Sequence, residues 1–346
     1  MAALRWEGDF VSLLDQTLLP HRTAWRRIAT QEEMEEAIRR LQVRGAPAVG
    51  IAGAFALYLG LRGFSGSRDE LVPALQGTAR AVAAVRPTAV NLAWAVNRAV
   101  AAAHTCPTVP AAVASLLKTA LDLLQEDREH NSRLAANGLP ILGKTCRAMT
   151  YCHTGAIATG GHGTALAILR RGWQAGAVAH VYIPETRPLL QGARLTAWEL
   201  KRAGVAATLV TDNAAAWLMS QGRVDLVLVG ADRITARGDV ANKIGTLGLA
   251  ILARHYEIPF YVAATRSTID WSLADGGDIP IEMRDPREVT HFSGRAVAPA
   301  RMPALAPAFD VTPAPLVTGI ITELGVHRPP FAETLPRADP GALASP

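Results

Sequence analysis

The sequence predicts an α/β protein: a helical N-terminal domain followed by a Rossmann-like parallel-sheet C-terminal domain. Three observations carry this expectation. Apolar residues recur at helical spacing through Ala-rich segments in the first third of the chain. Near residue 145 the pattern changes to short apolar runs that alternate with helical stretches. The alternation has βαβ length, and such units build parallel sheets covered on both faces. The boundaries follow as 1–130 for the helical domain, 131–330 for the Rossmann-like domain and 331–346 for a flexible tail rich in Pro and Ala.

The elements are justified in turn. Thr30 stands as an N-cap before Gln-Glu-Glu-Met-Glu-Glu-Ala, with acids in the first helical turn. Helical segments follow at 48–62, 68–85, 89–104 and 109–126, punctuated by Pro87, Pro107 and Pro110. Strands are expected at Arg147–Cys152, Val178–Ile183, Ala206–Thr211, Val224–Val229 and Pro259–Ala264. Helices at Thr164–Arg171, Arg194–Ala203, 213–221 and Leu247–His255 separate them. No internal repeat is present.

Composition narrows the functional classes. Of 346 residues, 49% are hydrophobic and 19% charged, enough for a substantial core. The net charge is +5, and the basic residues are almost all Arg, the only lysines being Lys118, Lys144, Lys201 and Lys243. No basic cluster interleaved with aromatics occurs, so nucleic acid is not the expected partner. The stretch Ala46–Leu61 is apolar but holds three glycines and is short for a bilayer span, so a buried helix is expected and not a membrane segment. The start of the chain, with Arg5, Glu7 and Asp9, has no apolar signal core. Cys106, Cys146 and Cys152 form no CxxC or metal spacing, and an odd, low count fits a reducing compartment. A cytoplasmic enzyme is the expectation.

Ligands of open parallel sheets bind beyond the carboxyl ends of the strands. The residues there are Cys152, Glu185, Asp212, Asp232 and Thr265, one thiol and several carboxyl groups suited to acid–base work. Cys152 leads into a turn with four glycines between His153 and Thr164, which lets backbone amides face an anion. That turn is neither a Walker A loop nor a spaced GxGxxG. From spacing alone Cys152 reads equally as an inert buried thiol, and Asp232 as a turn cap. Lys243 is expected in a loop at the same sheet edge, as a point charge for a phosphate or as a solvated side chain. Arg44-Gly-Ala-Pro and Arg86-Pro-Thr-Ala each put an Arg just before a helix, where the dipole favours an anion. His153 and His162 match no metal template.

Taken together, the motifs are familiar. Arg44-Gly-Ala-Pro-Ala-Val-Gly, Arg86-Pro-Thr-Ala-Val-Asn-Leu, Thr150-Tyr-Cys-His-Thr-Gly, Glu185-Thr-Arg-Pro-Leu-Leu-Gln-Gly, Gly230-Ala-Asp-Arg and Val240-Ala-Asn-Lys-Ile-Gly-Thr closely resemble the methylthioribose-1-phosphate isomerase family, in its order, over roughly residues 10–326. The resemblance implies conversion of 5-methylthio-ribose 1-phosphate to 5-methylthio-ribulose 1-phosphate in methionine salvage, by a homodimer with no metal and no organic cofactor. It makes Cys152 the catalytic cysteine and Asp232 the proton donor. Arg44, Gly45, Ala46, Arg86, Gln191, Asn242 and Lys243 match substrate-binding positions. Two departures stand out: His153 where the family usually has Asn, and Arg266 where an uncharged residue is expected. Two rival readings remain: an isomerase of ribose 1,5-bisphosphate or a 5-deoxypentose 1-phosphate, and a non-catalytic regulatory subunit of the translation-initiation exchange factor.

Overall fold

The computed structural model describes residues 2–87 and 89–336. The chain is mixed α/β and falls into two compact units. One unit runs to Ser132 and takes in Thr154–Gly163; the other holds Arg133–His153 and the described residues from Thr164 on.

The first unit is not wholly helical. It opens with an antiparallel sheet of β1 (Leu4–Trp6), β2 (Val11–Leu14) and β3 (Trp25–Ile28). Strands of three and four residues, with Arg and Ser interleaved, are too short for an alternation pattern to register. Helix α1 (Gln31–Arg39) begins at Thr30 as expected: the Thr30 hydroxyl accepts from the Glu33 amide, and the Glu33 carboxylate accepts from the Thr30 amide. Helix α2 (Ala46–Leu61) is apolar on every side and is buried among its neighbours. Helices α3 (Arg68–Ala84) and α4 (Val90–His104) complete the layer. Gly50 and Gly53 let α4 approach α2 closely: a Cβ would lie 2.7 Å from the Asn91 carbonyl at the first and 2.3 Å from Leu92 Cδ1 at the second. Helix α5 (Val109–Gly138) runs twelve residues beyond the expected end and crosses from the first unit into the second.

The second unit is built on a seven-stranded sheet. Its strands are β4 (Cys146–Met149), β5 (Val178–Pro184), β6 (Ala207–Val210), β7 (Leu226–Val229), β10 (Phe260–Ala263), β15 (Gly319–Thr322) and β16 (Gly325–His327), in the order β16-β15-β10-β7-β4-β5-β6. All neighbours are parallel except the edge pair β15–β16. All five expected strands are present, within a few residues of their expected ends. Both faces are buried, as a parallel sheet requires: Val227 and Val229 enter one core with Met149 and Phe260, while Leu226 and Leu228 enter the other with Ala148 and Tyr261. Helices α6 (Ala165–Gln174), α7 (Ala197–Arg202), α8 (Ala215–Ser220) and α9 (Thr246–His255) lie between strands in sequence.

A second sheet was not anticipated. Strands β8 (Arg233–Thr235), β9 (Val240–Lys243), β11 (Ile269–Asp270) and β14 (Phe309–Thr312) form it in the order β11-β8-β9-β14, and β12 (His291–Phe292) pairs with β13 (Arg295–Ala296) apart from it. The short helices α10 (Arg287–Thr290) and α11 (Phe331–Thr334) complete the unit. Phe331, expected in a flexible tail, is instead buried, packed over Gly238. The rest of that expected tail, 337–346, lies outside the described residues.

Candidate active site

The strand order marks where a ligand crevice opens. From β4 the chain winds outward through β5 and β6, then returns to β7 on the other side of β4 and winds outward through β10 and β15. The order therefore reverses between β4 and β7, and such a switch point opens a crevice at the carboxyl ends of the two strands. Cys152 follows β4 and Asp232 follows β7.

Cys152 is not the last residue of a strand, as its apolar neighbours suggested. The strand stops at Met149, and Cys152 sits beyond it in the left-handed region, at φ 59°. It is buried, 4% exposed. Its amide donates to the Thr186 hydroxyl at 3.0 Å, and its carbonyl accepts from the Thr196 hydroxyl at 2.6 Å. Thr196 closes a π-helical turn, Gly192–Thr196, a local irregularity frequent at functional sites. Gly192 is required there, because a Cβ would stand 2.0 Å from the Pro184 carbonyl. Gln191 precedes the turn; it is buried, and its Oε1 has no hydrogen-bond partner among the described residues.

The departure at His153 is buried too. Its Nε2 lies 3.0 Å from Glu199 Oε1 on α7. Tyr151 is buried on the other side of Cys152, its hydroxyl close against Gly245, and burial raises its pKa far above the ordinary phenol value.

Asp232 is half-buried, and its amide donates to the Ala241 carbonyl at 2.9 Å. The β8–β9 register sets Arg233 opposite Ala241, which lays Asp232 beside Asn242. Asn242 is buried and donates to the Thr246 hydroxyl at 3.0 Å. Lys243 is not in a loop. It ends strand β9, is 7% exposed, donates from Nζ to the Ala308 carbonyl at 2.8 Å, and lies 4.5 Å from the Phe309 ring centroid. The strand escapes sequence reading because its partner β14 comes from more than sixty residues downstream. Asp310 on β14 accepts from the Gly245 and Leu247 amides at the start of α9; burial pushes its carboxyl pKa up, against those hydrogen bonds and the Lys243 charge.

Two residues of the expected set have other tasks. Asp212 accepts from the Thr186 amide at 2.6 Å and the Arg187 amide at 2.7 Å, so it holds a turn together. Thr265 pairs with Ser267 at 3.0 Å.

Arg44, Gly45, Ala46 and Arg86 belong to the first unit. Gly45 caps α2 at φ 95°, and a Cβ there would stand 2.4 Å from the Ala158 carbonyl, so the Gly-rich turn 154–163 is pressed against the helix start. No side chain caps α2, which leaves its first amides and its dipole directed at the turn. Arg86 precedes α4, whose first residue is Val90; Pro87 lies before the helix and not in its first turn. The Gly50–Asn91 approach brings the starts of α2 and α4 together, so the two Arg-led helix ends are neighbours. Asn91 Oδ1 is buried there without a hydrogen-bond partner among the described residues. Sequence reasoning missed Thr186, Thr196, Glu199 and Asn91; Thr186 and Asn91 stand inside the Glu185 and Arg86 motifs but do not stand out there, and Thr196 and Glu199 lie in no motif.

Residues 42–329 match the family model described as the initiation factor 2 subunit family. The chain belongs to this family. Within it, the chain is 50% identical to a methylthioribose-1-phosphate isomerase of Pelotomaculum thermopropionicum, over 96% of this chain and 92% of the relative. It is 51% identical to a 5-deoxyribose 1-phosphate isomerase of Moorella thermoacetica, over 97% and 96%. Among solved structures, 5-methylthioribose 1-phosphate isomerase from Pyrococcus horikoshii superposes with a TM-score of 0.89 at 40% identity, covering 96% of this chain and 93% of that one. A structure described as subunit delta of the translation initiation factor eIF-2B from A. fulgidus gives 0.86 at 40% identity, covering 97% and 98%. The family resemblance read from the motifs is thus the one these relatives carry. Among the described residues no helix is long and apolar enough to cross a membrane.

Proposed function

We propose that this member of the family is an aldose–ketose isomerase that converts 5-methylthio-ribose 1-phosphate to 5-methylthio-ribulose 1-phosphate in methionine salvage. The single observation that carries the reading is the reversal of strand order between β4 and β7, with Cys152 and Asp232 at the two strand ends. The names of its near full-length relatives supply the substrate.

The 1-phosphate blocks the anomeric oxygen, so the sugar ring does not open unaided. Asp232 acts as general acid on the ring oxygen. A hydrogen then passes from C2 to C1, with Cys152 either shuttling it as a base or stabilising the transition state of a hydride shift, while the C2 hydroxyl becomes the ketose carbonyl and gives up its proton to restore the Asp232 acid. Gln191, Asn242 and Lys243 hold the sugar, and the buried, unpartnered Oε1 of Gln191 is an acceptor suited to a hydroxyl. Arg44, Arg86, Gly45 and Ala46 hold the phosphate through guanidinium groups and backbone amides at the two helix ends. The mechanism needs no metal and no organic cofactor.

A homodimer is part of the proposal. Met283, Phe292, Val297, Met302 and Leu305 are all exposed within one stretch of chain, an apolar burden that a second copy would cover. Three free thiols, one of them half-exposed, suit the cytoplasm.

The relative from Moorella thermoacetica supports a second substrate, 5-deoxyribose 1-phosphate, which differs only at C5. Purified protein offered each sugar phosphate in turn, with ketose formation followed by NMR, tests both. Turnover of the methylthio sugar with the higher kcat/KM supports the reading. Preference for the deoxy sugar transfers the assignment to that substrate, and failure with both favours the rival reading of a non-catalytic subunit of the translation-initiation factor, the description the A. fulgidus neighbour carries.

A further inference from the structure

The proposed catalytic thiol belongs to a residue in a backbone conformation that L-residues rarely adopt. At φ 59° a cysteine is strained relative to an ordinary conformation, and such residues persist where their surroundings over-determine them. Here the surroundings can be named. The amide of Cys152 is fixed by the Thr186 hydroxyl and its carbonyl by the Thr196 hydroxyl, at 3.0 and 2.6 Å. Both threonines are buried, 0% and 1% exposed, so water does not compete for either bond.

Each threonine is itself held. The Thr186 hydroxyl donates to the Pro184 carbonyl at 3.1 Å, and its amide donates to Asp212 at 2.6 Å. Its own φ is 67°, a second left-handed residue facing the first. Thr196 ends the π-helical turn, whose extra residue displaces its hydroxyl from the position a regular helix would give it. Three residues on, Glu199 meets the ring of His153, so the same segment grips the next residue as well.

We propose that Thr186 and Thr196 are positioning residues for the isomerase reaction: their hydroxyls clamp the amide and carbonyl of Cys152 and hold its thiol where the sugar carbons react. The inference rests on the reading of Cys152 as the catalytic cysteine. Asp212 acts one step further out, by bracing Thr186.

The test compares T186V, which removes the hydroxyl at nearly constant volume, with T186S, which keeps it. C152S is run in the same assay with methylthioribose 1-phosphate. We expect T186V to lose about 10- to 100-fold in kcat, the scale on which misplacement by about 1 Å acts. Its KM should stay within about threefold of the parent, since the phosphate and sugar contacts are untouched. T186S should recover most of the loss. The pair T196V and T196S repeats the comparison on the carbonyl side, so that if one valine variant fails to fold the other decides. An inactive C152S beside folded valine variants of parental kcat overturns the clamp alone. Serine variants as impaired as their valine partners overturn it too, because packing and not the hydroxyl would then matter. A C152S enzyme of parental kcat removes the catalytic reading itself.

Discussion

Glu199 Oε1 lies 3.0 Å from His153 Nε2, and both side chains are buried beside the residue that carries the proposed chemistry. A buried polar group whose partner is deleted bears its full desolvation cost, about 1–3 kcal/mol. E199A should therefore lower stability by that amount in urea unfolding, while E199Q, which keeps a polar partner, should cost less. Equal midpoints for E199A and the parent protein would show that the pair contributes nothing to the fold.

Gly45 joins the start of α2 to the turn at Ala158. An alanine there meets two penalties, a left-handed backbone and a Cβ 2.4 Å from a carbonyl oxygen. G45A is expected to lower the melting temperature and, if the proposed phosphate site is right, to raise KM for the sugar phosphate, because the helix end assigned to the anion must shift. A parental KM in a folded G45A protein would separate the helix end from phosphate binding.

C152S and D232N should each lose about 10²- to 10⁴-fold in turnover, the range for removal of a general acid or base, with far-ultraviolet circular dichroism unchanged. In deuterated water, label appearing at C1 of the product would support proton transfer through Cys152. Full retention of the C2 hydrogen would assign the step to a hydride shift.

Cys146 is buried, and burial raises its thiol pKa to about 11, with the Asp225 charge adding to the effect. Iodoacetamide at neutral pH should thus leave Cys146 unmodified while it alkylates the half-exposed Cys106. Peptide mass spectrometry reads both sites in one experiment, and early labelling of Cys146 would mean that its surroundings open readily.

Asp310 has a folded-state pKa raised above its ordinary value of 3.8, chiefly by burial. A carboxyl raised on folding binds its proton more tightly in the native state. Its contribution to stability is complete below pH 3.8 and is lost as pH rises through the folded value. Across that window the parent protein should lose stability relative to D310N, measured as the difference in urea midpoints. A difference independent of pH would show that the carboxyl titrates alike in both states.

Legibility in the sequence followed locality. Five strands of the large sheet, from β10 to the edge strand β6, announce themselves as short apolar runs, most plainly where a strand is buried on both faces, as Leu226–Val229 is. The Thr30 and Glu33 pair likewise announces a helix start three residues apart. By contrast, β9 is stabilised by β14, and its Val-Ala-Asn-Lys sequence carries no pattern without that partner. Cys152 stands out in the sequence but reads as part of a strand, since Thr150-Tyr-Cys continues an apolar run and holds no glycine or asparagine to mark a left-handed turn. Asp212 reads as an acid at a strand end, and only coordinates reveal that two amides occupy it. The roles of Thr186 and Thr196 are hydrogen bonds over 34 and 44 residues, a separation at which hydroxyls leave no trace in spacing.

The winding of the large sheet also bears on when the proposed catalytic pair comes together. Strands β4, β5 and β6 are consecutive and can associate as soon as they are made, but β7 must travel back past both to lie against β4. Closing that long loop is entropically the more demanding step. A nascent or partly unfolded chain therefore carries Cys152 before β7 and Asp232 are in place, and the proposed pair is assembled only once the sheet's centre has closed.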